Sequence, residues 1–349
     1  MQSAKRVASQ AEPRRIGVLL VTGAPGWLAD RMLSSFTASP SWSVDRVRCL
    51  VHHAVDFDPA LWARSFGVEI EVVRGDLRDA RSLRAAVQGV NSVVHGAGII
   101  HVDRIRDYYD VNTEGTRELT LAAAEAGVER MVFLSTNAAG GKSDTATHLM
   151  REDEPAKPLS HYGRSKWLGE LAMFAVESPM ERVALRPCMF YGPPVPPRHI
   201  EIFNRILHGR MPLVGGGEFA RSVTYIDHLV QAVRLALTQP GAPGNTYYVA
   251  DAQPYTTGEV VRAMARALGA SPRWLHLPSI VASLAYDVDT SLSRLDRYWQ
   301  TVHLVGEANW HVGVSIERAR RDLGYEPTFS IDDGMRAAVQ WCRNRKLIS

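Results

Sequence analysis

Long hydrophobic runs, a surplus of one charge and closely spaced cysteines are all missing from this sequence of 349 residues. No stretch of about 18 apolar residues is present that could span a bilayer, so we expect a soluble protein without a membrane span. The 40 basic and 37 acidic residues give a net charge of only +3, and the bases are scattered along the chain. Without a basic stripe to follow phosphates, binding to nucleic acid is not expected.

The three cysteines, Cys49, Cys188 and Cys342, stand far apart, without the spacing of a disulfide framework or a metal site. We therefore predict a reducing, cytoplasmic location and no bound metal. Residues 1–15 are polar and basic, and the apolar stretch after them is too short for a signal peptide. These residues are predicted to be a disordered basic tail.

From Ile16 onward, short β-branched runs alternate with segments of helical period. Strands that are apolar on both faces and separated by helices predict a doubly wound α/β fold with a parallel, Rossmann-type sheet. The predicted strands are GVLLVTG, DRVRCLV, IEVVRGD, SVVHGAG, RMVFLST and ERVALRP, and the predicted helices lie near 27–37, 80–88, 108–126 and 162–177.

After Pro187 the pattern changes to proline- and glycine-rich connections around short helices. The length of the chain also favours a second lobe, because one hydrophobic core rarely grows this large. We assign 16–186 to a dinucleotide-binding domain to which 221–245 return. Residues 187–220 and 246–349 are assigned to a smaller, mostly helical lobe that binds the substrate.

The first strand ends in a glycine-rich turn, TGAPGWLA, and a helical pattern follows at once. Gly23 permits the tight turn, Gly26 lets the backbone approach a pyrophosphate, and the small Ala29 allows the helix to pack on the strand. The helix N-terminus offers free N–H groups to the phosphates. Any tight strand-to-helix turn favours glycine, but this position after the first strand predicts a dinucleotide site.

The second strand ends without the carboxylate that would usually bind the ribose hydroxyls of NAD. Arg48, His52 and His53 lie near its end, which favours NADP over NAD, although both histidines could face solvent. At the end of the third strand, Asp76 could accept a hydrogen bond from the adenine amino group. Its alternative role is the N-cap of the following helix.

The segment SHYGRSK places Tyr162 and Lys166 one helical turn apart on the same face. A neighbouring ammonium and the positive nicotinamide would lower the pKa of the phenol, so Tyr162 could exchange a proton with a carbinol or carbonyl. Thr136, at the end of the strand FLST, could hold the substrate oxygen opposite Tyr162. Its alternative role is that of a β-branched residue that merely ends a strand.

Together these residues resemble the extended short-chain dehydrogenase/reductase family, which includes nucleotide-sugar epimerases and reductases of the NAD-dependent epimerase/dehydratase type. The matching segments include VTGAPGWLA, GDLRD, VVHGAG, YDVNTEGT, FLSTNAAG, YGRSKWLGE and LRPCMFYGP. The resemblance implies a homodimer and a small-molecule substrate, and it implies that Lys166 binds the cofactor ribose while Asn112 supports the site. Further cofactor contacts are implied for Trp27, Leu28, Leu77, Gly96, Ala97, Gly98, Pro187 and Met189, and substrate contacts for Ser135 and Asn137.

The substrate class stays open between two alternatives. Arg221 resembles the arginine that contacts the diphosphate in nucleotide-sugar enzymes, and a guanidinium suits that role, although a salt bridge at the rim is its rival. Met189 replaces an asparagine common in those enzymes. The aromatic C-terminal part, with Tyr286, Tyr298, Trp299 and Trp310, resembles 3β-hydroxysteroid dehydrogenase-like enzymes and 3-keto-acid reductases, unless these residues simply pack the smaller lobe.

A third alternative is a regulator that binds the dinucleotide without catalysis, because the fold alone does not establish chemistry. The intact set of Thr136, Tyr162 and Lys166 argues against it. The sequence therefore predicts an NAD(P)-dependent oxidoreductase or epimerase that acts on a secondary hydroxyl or keto group, most readily that of a nucleotide sugar.

Overall fold

The computed structural model describes residues 14–38 and 42–348. Its strands are β1 Gly17–Thr22, β2 Val44–His52, β3 Ile70–Gly75, β4 Ser92–His95, β5 Arg130–Leu134, β6 Glu181–Pro187, β7 Met189–Tyr191, β8 Arg210–Val214, β9 Ala220–Arg221, β10 Val223–Tyr225, β11 Thr246–Val249, β12 Tyr255–Thr256 and β13 Arg273–Leu277. Its helices are α1 Trp27–Ala38, α2 Pro59–Arg64, α3 Ala80–Ala86, α4 Arg106–Tyr108, α5 Gly115–Glu125, α6 His161–Ala175, α7 Pro197–Leu207, α8 Ile226–Thr238, α9 Thr257–Leu268, α10 Ile280–Arg294, α11 Gln300–Gly306, α12 Glu317–Leu323 and α13 Ile331–Asn344.

Seven strands form one parallel sheet in the order β11-β6-β5-β4-β1-β2-β3. The predicted doubly wound fold is therefore confirmed. The strand order reverses between β1 and β4, and in such sheets ligands bind outside the carboxyl ends of the strands at this point. The glycine turn after β1 and the loop after β4 both lie there.

Buried side chains alternate between the two faces of the sheet. In β1, Leu19 and Val21 belong to the core on one face and Leu20 to the core on the other. This alternation explains why the strands are apolar on both sides. A third core joins α7, α9 and α13, and its members include Phe203, Met264 and Met335.

Residues beyond the predicted returning segment 221–245 also contact the sheet. β11 forms its edge by pairing with β6, and α12 packs against β11 and α8. Thus 246–249 and 317–323, which were assigned to the smaller lobe, belong with the sheet. The division into two lobes otherwise stays a prediction.

Most of the predicted tail, 1–13, lies outside the described residues. Arg14 is attached to the fold, since its guanidinium donates to Ser92 Oγ at 3.1 Å and to Glu129 at 2.7 Å. Arg14 is therefore ordered, contrary to its place in the predicted tail. The polar contacts of this cation were invisible in the sequence because both partners are distant along the chain.

All three cysteines are buried free thiols. Burial raises the pKa of Cys49 to about 12 and that of Cys342 to about 11, and it raises the pKa of Cys188 further still. No helix in the described part of the chain is long and apolar enough to cross a membrane.

Candidate active site

The glycine turn forms a close backbone crossing at the start of α1. Gly23 has φ of +88°, and a Cβ there would come within 2.7 Å of the Gly96 carbonyl carbon. A Cβ on Gly26 would overlap the Gly23 carbonyl oxygen. Only glycine fits both positions, and the crossing brings the turn against the loop after β4. Ala29 is buried, as expected for the residue that lets α1 pack on the strand.

A buried polar chain holds the loop after β4, 96–99, in place. The Thr22 hydroxyl contacts His95 Nδ1 at 2.7 Å and accepts from the Ala97 N–H at 3.1 Å. Asn112 accepts from the Ile99 N–H at 2.9 Å and donates to Ser165 on α6 at 3.1 Å. Asn112 therefore ties this loop to the helix that carries Tyr162, and its side chain supports the site rather than facing it.

The end of β2 differs from the prediction in one residue. The Arg48 guanidinium pairs with Glu71 at 2.9 Å and donates to two carbonyl oxygens at the C-terminal end of α3. It is therefore engaged at the edge of the sheet opposite the predicted site, so the structure does not bring Arg48 to a cofactor. His52 lies at the carboxyl end of β2, with Nε2 3.2 Å from the Asp76 carboxylate.

Asp76 is bound on two sides at the end of β3. Arg78 donates to it from the backbone and the side chain, the shortest contact being 2.7 Å, and this arginine lowers the pKa of the Asp76 carboxyl below its usual range, with a smaller contribution from His52. The alternative role of Asp76 as the N-cap of α3 is wrong, because Asp79 caps that helix. Its role at the adenine stays a prediction.

Tyr162 lies in the first turn of α6, which begins after the N-cap Ser160. Burial raises the pKa of the Tyr162 phenol, while a hydrogen bond with Thr136 and the nearby Arg198 oppose this rise. Thr136 ends the extended segment after β5 and is itself buried. The structure thus brings Tyr162 and Thr136 together as predicted. The cation whose charge lowers the pKa of the phenol is Arg198 rather than Lys166.

Arg198 lies in the first turn of α7 and was missed by the sequence analysis. Its side chain is exposed and has no hydrogen bond or ion pair with any other described residue. Nothing in the surrounding proline-rich segment PPVPPRH marks it, because its place beside Tyr162 depends on how α7 packs. Only the tertiary structure could identify it.

Lys166 is buried one turn after Tyr162, and burial lowers the pKa of its ammonium to about 7, against an opposing contribution from Glu170. Its Nζ lies 4.1 Å from the centroid of the Phe133 ring. Within the described residues it makes no hydrogen bond or ion pair. Glu170 is itself held by Arg186 on β6, with contacts of 2.6 and 2.9 Å between side chains that are almost fully buried.

Two buried polar atoms of predicted contact residues have no partner among the described residues. Ser135 Oγ lies just after β5, and the Nε1 of Trp27 lies at the start of α1. Buried polar groups normally find a partner, so these two atoms suit contacts to a bound ligand.

Pro187 ends β6 and pairs with Val249, while Met189 begins β7 with 38% of its surface exposed.

A cavity of about 280 Å³ lies beside Tyr162. Its wall includes the start of α6, the residues before and in α4, and one face of α10. The lining residues are Ile105, Tyr108, Leu159, Ser160, His161, Tyr162, Tyr286, Asp289, Thr290, Ser293, Arg294, Tyr298 and His303. Two of the aromatic residues predicted either to bind substrate or to pack the lobe, Tyr286 and Tyr298, therefore face this cavity.

An ionic chain runs from the cavity to Arg221. His303 contacts Asp289 through Nδ1 at 2.8 Å and Glu307 through Nε2 at 3.3 Å. Burial lowers the pKa of His303, but the two carboxylates together raise it above its usual value. Arg221 follows, with its guanidinium 3.4 Å from the Glu307 carbonyl oxygen; burial lowers its pKa and Glu307 opposes this.

Three more of the predicted contact residues have defined neighbours in the structure. Leu77 is buried against Gly115 at the start of α5, and Leu28 packs between two of the cores. Gly98 approaches both Asn112 and Lys166, since a Cβ there would lie 2.9 Å from Asn112 Oδ1 and 3.6 Å from Lys166 Nζ.

Among the described residues no group of three or more His, Cys, Asp or Glu could hold a metal ion.

The close glycine crossing and the unpaired Lys166, Ser135 and Trp27 atoms fit a dinucleotide along the carboxyl edge of the sheet. The class of protein is therefore a doubly wound, dinucleotide-binding enzyme. Residues 19–250 match the NAD-dependent epimerase/dehydratase family. The chain belongs to this family, and its fold is that of the extended short-chain dehydrogenase/reductases, as the sequence motifs predicted.

Relatives across this family cover nearly the whole chain. The UDP-glucose 4-epimerase of Vibrio cholerae is 27% identical, with 92% of this chain and 94% of the epimerase covered. The 2-alkyl-3-oxoalkanoate reductase of Stenotrophomonas maltophilia is 27% identical, with 91% and 97% covered. The dTDP-glucose 4,6-dehydratase DesIV of Streptomyces venezuelae, solved with NAD bound, is 26% identical with a TM-score of 0.76, and 94% and 98% are covered. The protein is thus an enzyme of an NAD-dependent family.

Proposed function

We propose that the protein is an NAD(P)-dependent oxidoreductase or epimerase that acts on a secondary hydroxyl or keto group of a nucleotide sugar. The observation that carries this proposal is the position of Tyr162, in the wall of a cavity and close to Thr136. The UDP-glucose and dTDP-glucose enzymes among its relatives support the substrate class.

In this proposal a dinucleotide held along the carboxyl edge of the sheet would supply or accept the hydride at the substrate carbon. Tyr162 moves the accompanying proton. In the reducing direction its phenol donates the proton to the carbonyl oxygen as the carbinol forms, and in the oxidising direction its phenolate takes the proton back. The Thr136 hydroxyl holds the same oxygen. Lys166 binds the ribose hydroxyls, and its charge favours the phenolate once its ammonium is formed.

A second candidate substrate is an apolar keto compound, as in the oxoalkanoate reductase. The observation in its favour is the aromatic and aliphatic part of the cavity wall, which includes Ile105, Tyr108, Leu159 and Tyr286. Such a wall would pack against an alkyl chain or a fused ring. The hydroxyls of these tyrosines could equally contact a sugar, so the wall alone does not select between the two classes.

A substitution at Arg221 tests which of the two substrate classes is correct. If a nucleotide sugar is the substrate, the Arg221 guanidinium contacts its diphosphate, and Arg221→Ala is expected to weaken UDP binding. Losing such a charge-assisted hydrogen bond costs about 1.5–3 kcal/mol, which is roughly tenfold to 150-fold in affinity. A calorimetric titration of UDP into wild type and Arg221→Ala measures this.

The matched control is Arg262→Ala, another arginine of the smaller lobe, which should leave the UDP affinity unchanged. Glu307 partly offsets the charge of Arg221, which places the expected loss toward the lower end of the range. Failure of the wild type to bind UDP would move the assignment to the apolar class.

The cofactor preference provides a separate prediction. We expect NADP to bind more tightly than NAD, because β2 ends without a carboxylate and carries His52 and His53 there. The preference should not exceed about tenfold, or 1.4 kcal/mol, because Arg48 is engaged elsewhere and His52 lies 3.2 Å from the Asp76 carboxylate. Fluorescence titration with the two reduced cofactors measures both dissociation constants.

Lys166→Met is the internal comparison for this titration. The ribose that Lys166 is proposed to bind is common to both cofactors, so the substitution should weaken both by the same factor. A tenfold or greater advantage for NAD in the wild type would contradict the preference, and an unchanged affinity in Lys166→Met would contradict the ribose contact.

A further inference from the structure

Exposed apolar side chains are concentrated in one segment of the smaller lobe. Of the sixteen large hydrophobic residues that are exposed among the described residues, nine lie between 275 and 304. They are Leu275, Leu277, Ile280, Val281, Leu284, Val288, Leu295, Trp299 and Leu304. Single exposed apolar residues are normal, but a contiguous group of them usually marks an interaction surface.

The group follows the helical period of α10. Ile280, Leu284 and Val288 recur every four residues and are 59%, 58% and 48% exposed, and Leu295 continues the same line just past the helix at 72%. We name these four residues the apolar stripe of α10. At 100° per residue they fall within one sector of the helix.

The opposite side of α10 carries a different set of residues. The cavity beside Tyr162 is lined by Arg294 at the end of the helix and, along its length, by Tyr286, Asp289, Thr290 and Ser293. By the same period their sector is centred about 180° from the apolar stripe. One helix therefore separates the cavity from the exposed stripe, and its diameter with side chains is about 10–12 Å.

Unpaired arginines precede and follow the stripe along the chain. Arg273 lies on β13 and Arg297 follows α10; both are exposed, and their side chains have no ion pair or hydrogen bond with any other described residue. Asp287 and Asp296 are the exposed carboxylates of the same stretch. Trp299, 60% exposed, lies two residues after Arg297. An apolar helix face bordered by arginines with tryptophan at its edge is typical of helices that lie in the interface of an anionic membrane.

We propose that the apolar stripe of α10 and its flanking arginines bind the surface of an anionic phospholipid bilayer. The stripe enters the boundary between headgroups and acyl chains, and Arg273 and Arg297 contact lipid phosphates. The contact is peripheral and reversible. It brings the cavity within about one helix diameter of the lipid surface, so an amphipathic substrate could reach Tyr162 from the membrane. The proposal is independent of the substrate assigned above.

Flotation with vesicles tests this surface. The full chain is mixed with vesicles of phosphatidylglycerol and phosphatidylcholine, or of phosphatidylcholine alone, and the floated fraction gives a partition coefficient. We expect binding to the anionic vesicles, weakened by salt, and at least about tenfold weaker partitioning for L284S/V288S. Both positions face solvent, so the variant should fold, and its thermal unfolding and cofactor affinity should match those of the wild type.

Two matched controls accompany the stripe variant. L61S/L171S replaces two leucines that are similarly exposed elsewhere and should float like the wild type. R273Q/R297Q should lose the preference for anionic vesicles, whereas R81Q/R84Q on α3 should keep it. Absence of vesicle binding by the wild type, or equal binding by L284S/V288S, would overturn the proposal. So would sedimentation showing that the stripe instead joins two copies of the chain, with a dimer that L284S/V288S abolishes.

Discussion

Tyr162→Phe is expected to lower turnover by about 10²–10⁴-fold while the dissociation constant of the cofactor stays unchanged. The ring keeps its place at the cavity wall, and only the hydroxyl that carries the proton is lost. Steady-state kinetics with the substrate identified by UDP-sugar or keto-acid screening, together with a cofactor titration, measure the two quantities separately.

The matched control is Tyr109→Phe. The Tyr109 hydroxyl contacts His161 Nδ1 at 2.8 Å, in the turn that begins α6, so this substitution removes a phenol hydroxyl nearby without touching the proposed proton path. Turnover close to the wild-type value is expected for Tyr109→Phe. Similar turnover in Tyr162→Phe would remove the basis of the proposed mechanism.

The largest effect on stability is expected for Arg186→Met. Arg186 and Glu170 pair at 2.6 and 2.9 Å in the interior between β6 and α6, with side chains only 6% and 3% exposed. Removing the guanidinium leaves the carboxylate buried without its partner, which typically lowers the free energy of unfolding by about 3–5 kcal/mol. Urea denaturation measures the loss.

Two comparisons make this result specific. Replacing both partners in E170L/R186M should recover most of the stability, because no isolated charge remains buried. Arg266→Met breaks the exposed pair of Arg266 with Asp332 and should cost less than about 1 kcal/mol. If Arg186→Met were no worse than Arg266→Met, the buried pair would not be essential to the fold.

The sheet could be predicted well from the sequence because its central strands β1, β4, β5 and β6 are largely buried on both faces. All six predicted strands are present, and the predicted helix near 162–177 corresponds to α6, His161–Ala175. β11 was missed, since TYYV is short and follows a proline- and glycine-rich loop. Its membership of the sheet depends on pairing with β6, which local pattern does not encode.

The site was predictable where residues share one element and less so where they come from several. Tyr162 and Lys166 lie on one helix, and their spacing alone places them together. Arg48 was misplaced because it lies in the middle of β2, Val44–His52, from where its long side chain reaches the C-terminal end of α3. Arg198 and the cavity face of α10 could not be predicted, because only the packing of α7 and α10 brings them to Tyr162.

Because its three cysteines are buried, the native protein should react only slowly with thiol-labelling reagents. Alkylating reagents attack the thiolate, and burial both shields these thiols and raises their pKa values, with Cys49 near 12 and Cys342 near 11. A single cysteine introduced on the exposed side of α10, such as Ser291→Cys, would therefore react with a maleimide dye far faster than the native thiols. A fluorophore attached there would report on the surroundings of α10 without prior removal of any natural cysteine.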